Sequence, residues 1–374
     1  MSFYISIKKK LPGFELDIKL ETKADMIGIL GISGSGKTMT LRCIAGLVKP
    51  DEGRIIVDGR TLFDSEKRIN LHPGKRKVGF VFQNYALFPH LTIYDNIAFG
   101  LDFLSRQEKQ IKVDELITRF HLLGLERRYP SQISGGQQQR AALARAMAVE
   151  PEILLLDEPF SALDEHLRIQ VVKEVVECLK DFRGYTLFVT HNMEEAYHTC
   201  KCLVVINSGK VEAFGSTKDI FSNPPTLETA RITGCKNISR AIRLSDNVIE
   251  IPSWHIKLKL PSKVQYSEGF VGIRSHHIRI ADDISDNIFP AWIADLNESP
   301  FRMTVYLKFE SVPDNLHDFH VQWEVSKEIW EQIKDLPQPL KIYLPSDNVF
   351  LSELEDYYEP EVTQPVCSYS LFLS

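Results

Sequence analysis

Phe3, Ile5 and Ile7 alternate with polar residues, and after Leu11-Pro12-Gly13 the alternation resumes at Phe14, Leu16, Ile18 and Leu20. A period of two on either side of a turn predicts two antiparallel strands. The pattern then changes. Met26 to Leu30 is short and largely apolar, as a parallel strand buried on both faces would be. Leu41, Ile44, Ala45 and Val48 follow at helical spacing. Gly53 to Phe63 reads as strand, Asp58-Gly59 turn and strand. Lys77 to Phe82 is a further short strand, ending at Gln83. From Ile93 to Tyr129 the pattern is helical, with Leu116, Ile117, Phe120 and Leu123 on one face. Within it, Arg106 to Lys112 reads as a solvated loop or helix end. A helix beginning at Ser134 runs through Ala141, Leu143, Ala144 and Met147 and stops before Pro151. Ile153 to Leu156 is a buried strand. Val172, Val175, Val176, Leu179 and Phe182 stripe the next helix, and Tyr185 to Val189 is another short strand.

After Ser222-Asn223-Pro224-Pro225 the pattern shifts again. Thr226 to Thr233 is a short helical link. Alternating stretches then dominate: Val248 to Ile251, His255 to Leu260, Gly269 to Ile273, Ile278 to Ile280, Met303 to Phe309 and Leu340 to Tyr343. They predict a small β-barrel domain. The expected organisation is therefore a first domain over 1–234 and a second, β-rich domain over 235–374.

Composition narrows the picture a little. At 374 residues the chain has room for two or three domains of ~150 residues each. A formal net charge of −6 argues against a general nucleic-acid binder. Cys200 and Cys202 form the only close cysteine pair, with the wrong spacing for a redox or zinc motif. The six cysteines, Cys43, Cys178, Cys200, Cys202, Cys235 and Cys367, are expected to be buried free thiols of a reducing compartment. Neither a signal-peptide pattern nor an apolar run of ~20 residues is visible, so membrane association is expected to come through a partner.

The chemistry is concentrated between the strands and helices of the first domain. Gly31-Ile32-Ser33-Gly34-Ser35-Gly36-Lys37-Thr38 has the glycine spacing and the Lys-Thr ending of a phosphate-binding loop, with an apolar strand before it and a helix after it. Glycines let backbone N–H groups wrap a phosphate, and the helix N-terminus faces the anion. Lys37 reaches the β- and γ-phosphates, the Thr38 hydroxyl suits Mg²⁺, and Thr40 completes the set. Ser134, Gly135, Gly136 and Gln137 open a second helix, another anion-facing N-terminus. Asp157 and Glu158 end an apolar strand, where two adjacent acids are costly unless they serve a cation or a water. Asp157 is placed for Mg²⁺ and Glu158 for polarising the attacking water. His191 ends the last of these strands. Phe14 reads two ways, as core of its strand and as an aromatic for an adenine ring.

Taken in order, the phosphate loop, Gln83, Ile-Ser-Gly-Gly-Gln (133–137), Leu-Leu-Leu-Asp-Glu-Pro (154–159), Ser-Ala-Leu-Asp (161–164) and Thr190-His191 resemble the ATP-binding-cassette ATPases over residues 1 to about 234. The departure is Ile133, where the family usually has Leu. The resemblance implies an α/β phosphate-loop cassette with an antiparallel β subdomain and a helical subdomain, followed by a small accessory β-barrel. It implies a head-to-tail pair of cassettes with ATP and Mg²⁺ at the seam. Each ATP would lie on Lys37 and Thr38 of one copy and under Ser134, Gly136 and Gln137 of the other. Gln83 would ligate Mg²⁺ and sense the γ-phosphate, His191 would contact it, and Asp164 would lie at the seam. Tyr85 to Gly100 looks like the corresponding segment of bacterial import cassettes, which work with two integral-membrane permease subunits and an extracytoplasmic binding protein, on the cytoplasmic face of the membrane. Phe270 to Asp282 looks like the accessory β-domain of the same group, and the join around Cys235 to Arg240 resembles those of molybdate and sulfate importers. Molybdate or a similar oxyanion is therefore the expected solute, with sulfate, iron, polyamines and sugars as the alternatives. A soluble cassette acting on DNA or ribosomes fits less well, because Gln83 and Ser134 are too close for a coiled-coil insertion and only one cassette is present. A nucleotide-dependent regulator that does not hydrolyse is disfavoured by the presence of both Glu158 and His191.

Overall fold

The computed structural model describes residues 2–161, 165–281 and 286–353, and of side chains excludes also 165–167 and 169. The chain divides into two compact units, one ending at Lys218 and one beginning at Asp219.

The first unit contains β1 (Phe3–Leu11), β2 (Phe14–Thr22), β3 (Met26–Leu30), α1 (Lys37–Ala45), β4 (Glu52–Val57), β5 (Arg60–Asp64), β6 (Ile69–Asn70), β7 (Val78–Val81), α2 (Ile93–Ala98), α3 (Arg106–Arg119), α4 (Gly135–Ala148), β8 (Ile153–Asp157), α5 (Glu165–Leu179), β9 (Tyr185–Thr190), α6 (Met193–Thr199), β10 (Cys202–Asn207) and β11 (Lys210–Ser216). The strands form one sheet in the order β6-β5-β4-β1-β2-β11-β10-β3-β9-β8-β7. From β10 to β7 it is parallel, and from β6 to β2 antiparallel. The parallel strands β3, β8 and β9 are almost continuously buried, which is why they read as unbroken apolar runs. In β1 and β2 buried residues alternate with more exposed ones, as the period of two requires.

The registers put the chemical loops side by side. Leu30 pairs with Thr190, and Val189 pairs with Asp157. The segments that leave β3, β7, β8 and β9 therefore emerge at one edge, at the carboxyl ends of the strands, where ligands of open parallel sheets bind.

Two expectations in the helical segment are corrected. Arg106 to Lys112 is the first half of α3, started by a capping box in which Ser105 and Glu108 satisfy each other's backbone N–H. The helix ends at Arg119, and the chain breaks so that Leu122 is buried while Leu123 is exposed.

α7 (Thr217–Ser222) crosses the division between the units, and α8 (Leu227–Ile232) follows. The second unit continues with β12 (Asn237–Ser245), β13 (Val248–Ile251), β14 (Ile256–Lys259), β15 (Glu268–Ile273), β16 (Arg279–Ile280), β17 (Ile288–Glu298), β18 (Arg302–Phe309), β19 (Val321–Ser326), α9 (Lys327–Ile333), β20 (Leu340–Tyr343) and β21 (Val349–Glu353). These make two five-stranded antiparallel sheets, β14-β13-β12-β15-β21 and β16-β20-β17-β18-β19. One core joins them, with Trp254, Leu258, Val271 and Ile273 from the first and Val305, Leu307, Phe309 and Trp323 from the second. The buried Asn237 side chain on β12 acts as a strand mimic: its amide donates to Gln322 O (2.8 Å) and its carbonyl accepts from Gln322 N (2.7 Å) on β19.

The boundary expected after Gly234 lies later than this division, which places the end of α7 and all of α8 with the second unit. The Arg274 guanidinium donates to Phe221 O, Thr233 O and Thr233 Oγ1, binding that segment to β15. The five described cysteines are all buried free thiols, and Cys367 lies outside the described residues.

Candidate nucleotide site

The loop between β3 and α1 is built on glycine at three points. Gly34 and Gly36 have φ of +81° and +107°, which side chains resist. At Gly31 a Cβ would stand 2.3 Å from Ile206 O, so only glycine fits where the loop passes β10. A Cβ at Gly36 would stand 2.7 Å from Leu16 Cδ1 and 3.0 Å from Phe14 Cζ. Phe14, half-buried at the start of β2, thus packs on the loop itself.

Inside the loop, Lys37 is buried and its ammonium donates to Gly31 O (2.8 Å) and Ile32 O (2.9 Å). Burial pulls its pKa below the ordinary lysine range, against the attraction of Glu158 and Asp157. Ser33 and Gly34 are exposed, whereas the Ser35 hydroxyl is buried with no partner. Thr38 Oγ1 donates to Asp157 Oδ1 at 2.8 Å. Thr40 is buried and its hydroxyl returns to Gly36 O (3.0 Å) within its own helix.

Asp157 and Glu158 face the loop from the end of β8. Burial raises the Asp157 carboxyl above its usual range, opposed by the bond from Thr38. Glu158 adopts a left-handed backbone, φ +45°, an uncommon conformation for a residue with a side chain. Its N–H donates to Val189 O (3.0 Å), and its carbonyl accepts from the Ser161 hydroxyl (2.9 Å). This turn aims the carboxylate at three of the expected partners. Lys37 Nζ is 3.9 Å away, His191 Nδ1 3.0 Å and Gln83 Nε2 3.5 Å. His191 is exposed, but the chain around it is fixed: Asn192 N–H donates to Thr190 Oγ1, and Asn192 Oδ1 caps α6.

The structure therefore brings together Lys37, Thr38, Asp157, Glu158, His191 and Gln83. Ser134, Gly135, Gly136 and Gln137 stand apart from this group. They form a capping box at the start of α4, and among the described residues no hydrogen bond joins them to the loop. Asp164 lies outside the described residues. A separate cleft of ≈680 Å³ at the amino ends of β8 and β9, beside Glu152 and Gly184, contains none of these groups.

The donor set fits a phosphate chain with a hard cation. Backbone curvature, a lone buried hydroxyl on Ser35 and a buried ammonium suit phosphate oxygens. A threonine hydroxyl against a carboxylate suits Mg²⁺, which prefers oxygen ligands. Such a cradle at the carboxyl edge of a parallel sheet defines a phosphate-loop nucleoside triphosphatase.

Comparison with known proteins narrows the class. The family model described as ABC transporter matches residues 15–161. The sulfate/thiosulfate import ATP-binding protein CysA of Bacillus cereus is 35% identical over 349 residues, covering 89% of this chain and 94% of that protein. CysA of Synechococcus elongatus is 38% identical, covering 91% of this chain and 87% of the relative. The spermidine/putrescine import ATP-binding protein PotA of Acetivibrio thermocellus is 43% identical over 243 residues, 64% of this chain and 66% of the relative. A solved ATP-binding cassette, in a dimeric post-hydrolysis state bound to ADP and Pi, has 30% identity and a TM-score of 0.49 over 58% of this chain and 99% of that one. The chain belongs to the ABC transporter family: it is an import-type ATP-binding subunit and an ATP hydrolase.

Sequence reasoning missed three residues that hold this site in place. Arg76 is fully buried and donates to Cys43 O (2.9 Å), Ile44 O (2.8 Å) and Asn70 Oδ1 (2.7 Å), closing the carboxyl end of α1. Asn96, also fully buried, donates from Nδ2 to Phe88 O, Leu91 O and Thr92 O, and its Oδ1 accepts from Phe88 N. Arg145 on α4 donates to Tyr85 O and Ala86 O. Arg76 and Arg145 act on backbone far away in the chain and Asn96 on the loop just before it, and no short motif announces any of them.

Proposed function

We propose that the chain powers the uptake of a tetrahedral oxyanion, with sulfate or thiosulfate and molybdate as the chemical class. The observation that carries this is the near full-length likeness, second unit included, to two sulfate/thiosulfate import subunits. The likeness to the spermidine/putrescine subunit covers less of the chain. The sequence around Cys235 to Arg240 keeps molybdate within the class. The chain works as one of two copies, against two integral-membrane permease subunits fed by an extracytoplasmic binding protein and without nucleic acid. No helix among the described residues is long and apolar enough to cross a membrane. The subunit docks on the cytoplasmic face through its permeases.

At the site, ATP is the substrate. Gly31 to Thr38 wrap its phosphates with backbone N–H groups, and Lys37 exchanges its carbonyl partners for phosphate oxygens. Phe14 is retained as the adenine contact. Thr38, Gln83 and Asp157 would hold Mg²⁺, which when bound neutralises phosphate charge. Glu158 orients the attacking water and accepts its proton, while His191 steadies that carboxylate and meets the γ-phosphate. Ser134, Gly136 and Gln137 cap the nucleotide of the other copy, and Asp164 lies at the seam.

The test is uptake of molybdenum and sulfate, followed together in the source cells at low external concentration, with Glu158→Gln replacing the native residue. Loss of either supports the oxyanion reading and selects the solute. If neither changes, the reading is overturned and iron, polyamines and sugars become the candidates.

A further inference from the structure

The loop between β7 and α2 contains two consecutive left-handed residues that are not glycine. Tyr85 has φ +61° and Ala86 φ +44°. Side chains resist this conformation, and two in succession do not persist without support. The support comes from α4. Arg145 donates one guanidinium nitrogen to Ala86 O (2.6 Å) and the other to Tyr85 O (2.9 Å), and its carbon lies 5.4 Å from the Phe88 ring centre. Among the described residues no carboxylate pairs with it, so carbonyl dipoles and an aromatic face are its partners. A planar fork can span two carbonyls turned the same way, which a lysine ammonium cannot reproduce. Beyond Phe88 the loop is anchored again by Asn96. The strained turn thus begins two residues after Gln83, and Arg145 holds it.

We propose that Arg145 is a positioning residue for hydrolysis, a clip that fixes the reach of Gln83 by holding the left-handed Tyr85–Ala86 turn. The proposal rests on the reading that Gln83 serves the hydrolytic site. The clip also links two distant places. Arg145 is eleven residues from Ser134 on one continuous helix, about 16 Å at ~1.5 Å per residue. The Ser134 turn and the Gln83 loop are therefore joined through one helix and one guanidinium.

The test is steady-state ATP hydrolysis by the purified full chain. Arg145→Met is expected to lower kcat about tenfold, with the KM for ATP changed less than about twofold. Arg145→Lys is expected to recover less than half of the loss. The decisive variant is Ala86→Gly in the Arg145→Met background. Glycine adopts a positive φ without strain, so the turn should hold without its clip and kcat should recover at least half. A side chain that merely fills space would not be rescued this way, and absence of rescue overturns the clip. If Arg145→Met fails to fold, Arg145→Lys with and without Ala86→Gly asks the same question. Gln83→Ala separates the two readings. If it lowers kcat and hides the effect of Arg145→Met, the proposal stands as stated. If the two losses multiply, Arg145 does not act through Gln83. If Gln83→Ala alone changes nothing, the reading of Gln83 falls, while the glycine rescue still reports on the clip.

Discussion

The two units differ in where they bury charge. The first keeps ionised groups inside. Lys37 and Asp157 are buried, burial shifts both toward neutrality, and Arg76 sits without a carboxylate in the sheet–helix core. The second keeps most of its ion pairs at the surface: Arg240 with Glu268, Lys259 with Asp286 and Arg302 with Glu324 are substantially exposed, while Lys308 with Asp318 is half-buried. Buried charge is costly unless it acts on something, whereas exposed pairs contribute little either way. The buried Lys37 and Asp157 of the first unit therefore mark a place built to act on an anionic substrate.

The largest expected contrast follows from removing one carboxylate in each unit. Glu158→Gln is expected to lower ATP turnover about a thousandfold, since the residue is the general base of the proposed reaction. Glu268→Gln removes an exposed partner of Arg240 and is expected to change stability by less than about 0.5 kcal/mol. Turnover should stay at the wild-type rate. ATPase assays and urea titrations of both variants decide the matter, and a slow Glu268→Gln would break the division.

Next come the two buried clamps. Arg76→Met strands the carbonyls of Cys43 and Ile44 at the end of α1, with an expected cost on the order of 3 kcal/mol. Faster hydrogen exchange at α1 amides is the readout. Asn237→Ala unties the two sheets of the second unit, with an expected cost of about 2 kcal/mol. All four tryptophans of the chain, Trp254, Trp292, Trp323 and Trp330, lie in the second unit, so tryptophan fluorescence in urea reports it alone. Equal effects of both substitutions on tryptophan unfolding would mean that the units do not unfold separately.

These clamps also mark the limit of what the sequence discloses. The phosphate loop, the acids after Ile153 to Leu156 and the Asp58-Gly59 hairpin were legible because local spacing carries them: a turn needs glycine, and a buried strand needs an apolar run. Arg76, Arg145 and Arg274 were not, because each binds backbone that only the fold brings near, and Asn96 was not because its local bonds to Phe88, Leu91 and Thr92 follow no motif. In the second unit β12, β17, β19 and β21 went unread. β17 contains Pro290 and a register shift between Ile293 and Asp295, which blur its alternation. β19 alternates cleanly through Val321, Trp323 and Val325, but its six residues are flanked by a charged loop and a short helix. The cassette was visible in motif order, while the arrangement of the β-rich unit depended on pairings between distant strands.

Acid should loosen the second unit. Burial lowers the pKa of His277 to about 4, helped by His276, Arg274 and Arg279. His320 is likewise lowered to about 4, first by burial and then by His255 and Lys308, against Asp318. In the unfolded chain both return to about 6.5. The unfolded state therefore binds protons first as pH falls, so stability is full above about 6.5 and is lost toward about 4. The fluorescence-detected Tm should fall by on the order of 5 °C across that window. His277→Gln combined with His320→Gln should flatten the slope. An unchanged slope would assign the acid sensitivity to carboxylates instead.

The smallest contrast concerns two serines that are alike as helix caps. Ser134 accepts from Gln137 N at the start of α4, and Ser326 accepts from Ile329 N at the start of α9. As caps, each should cost about 1 kcal/mol when changed to alanine. Only Ser134→Ala should also slow ATP hydrolysis, because its turn is the one assigned to the nucleotide of the other copy. That assignment can be read apart from the cap by mixing variants. A Ser134→Ala chain keeps Glu158, and a Glu158→Gln chain keeps Ser134. If Ser134 acts across the pair, each mixed dimer contains one intact site and mixing restores hydrolysis. If Ser134 acts within its own chain, every site in the mixture remains impaired and no recovery follows. Recovery therefore identifies Ser134 as a group working on its partner's substrate, and its absence would place Ser134 in the site of its own chain.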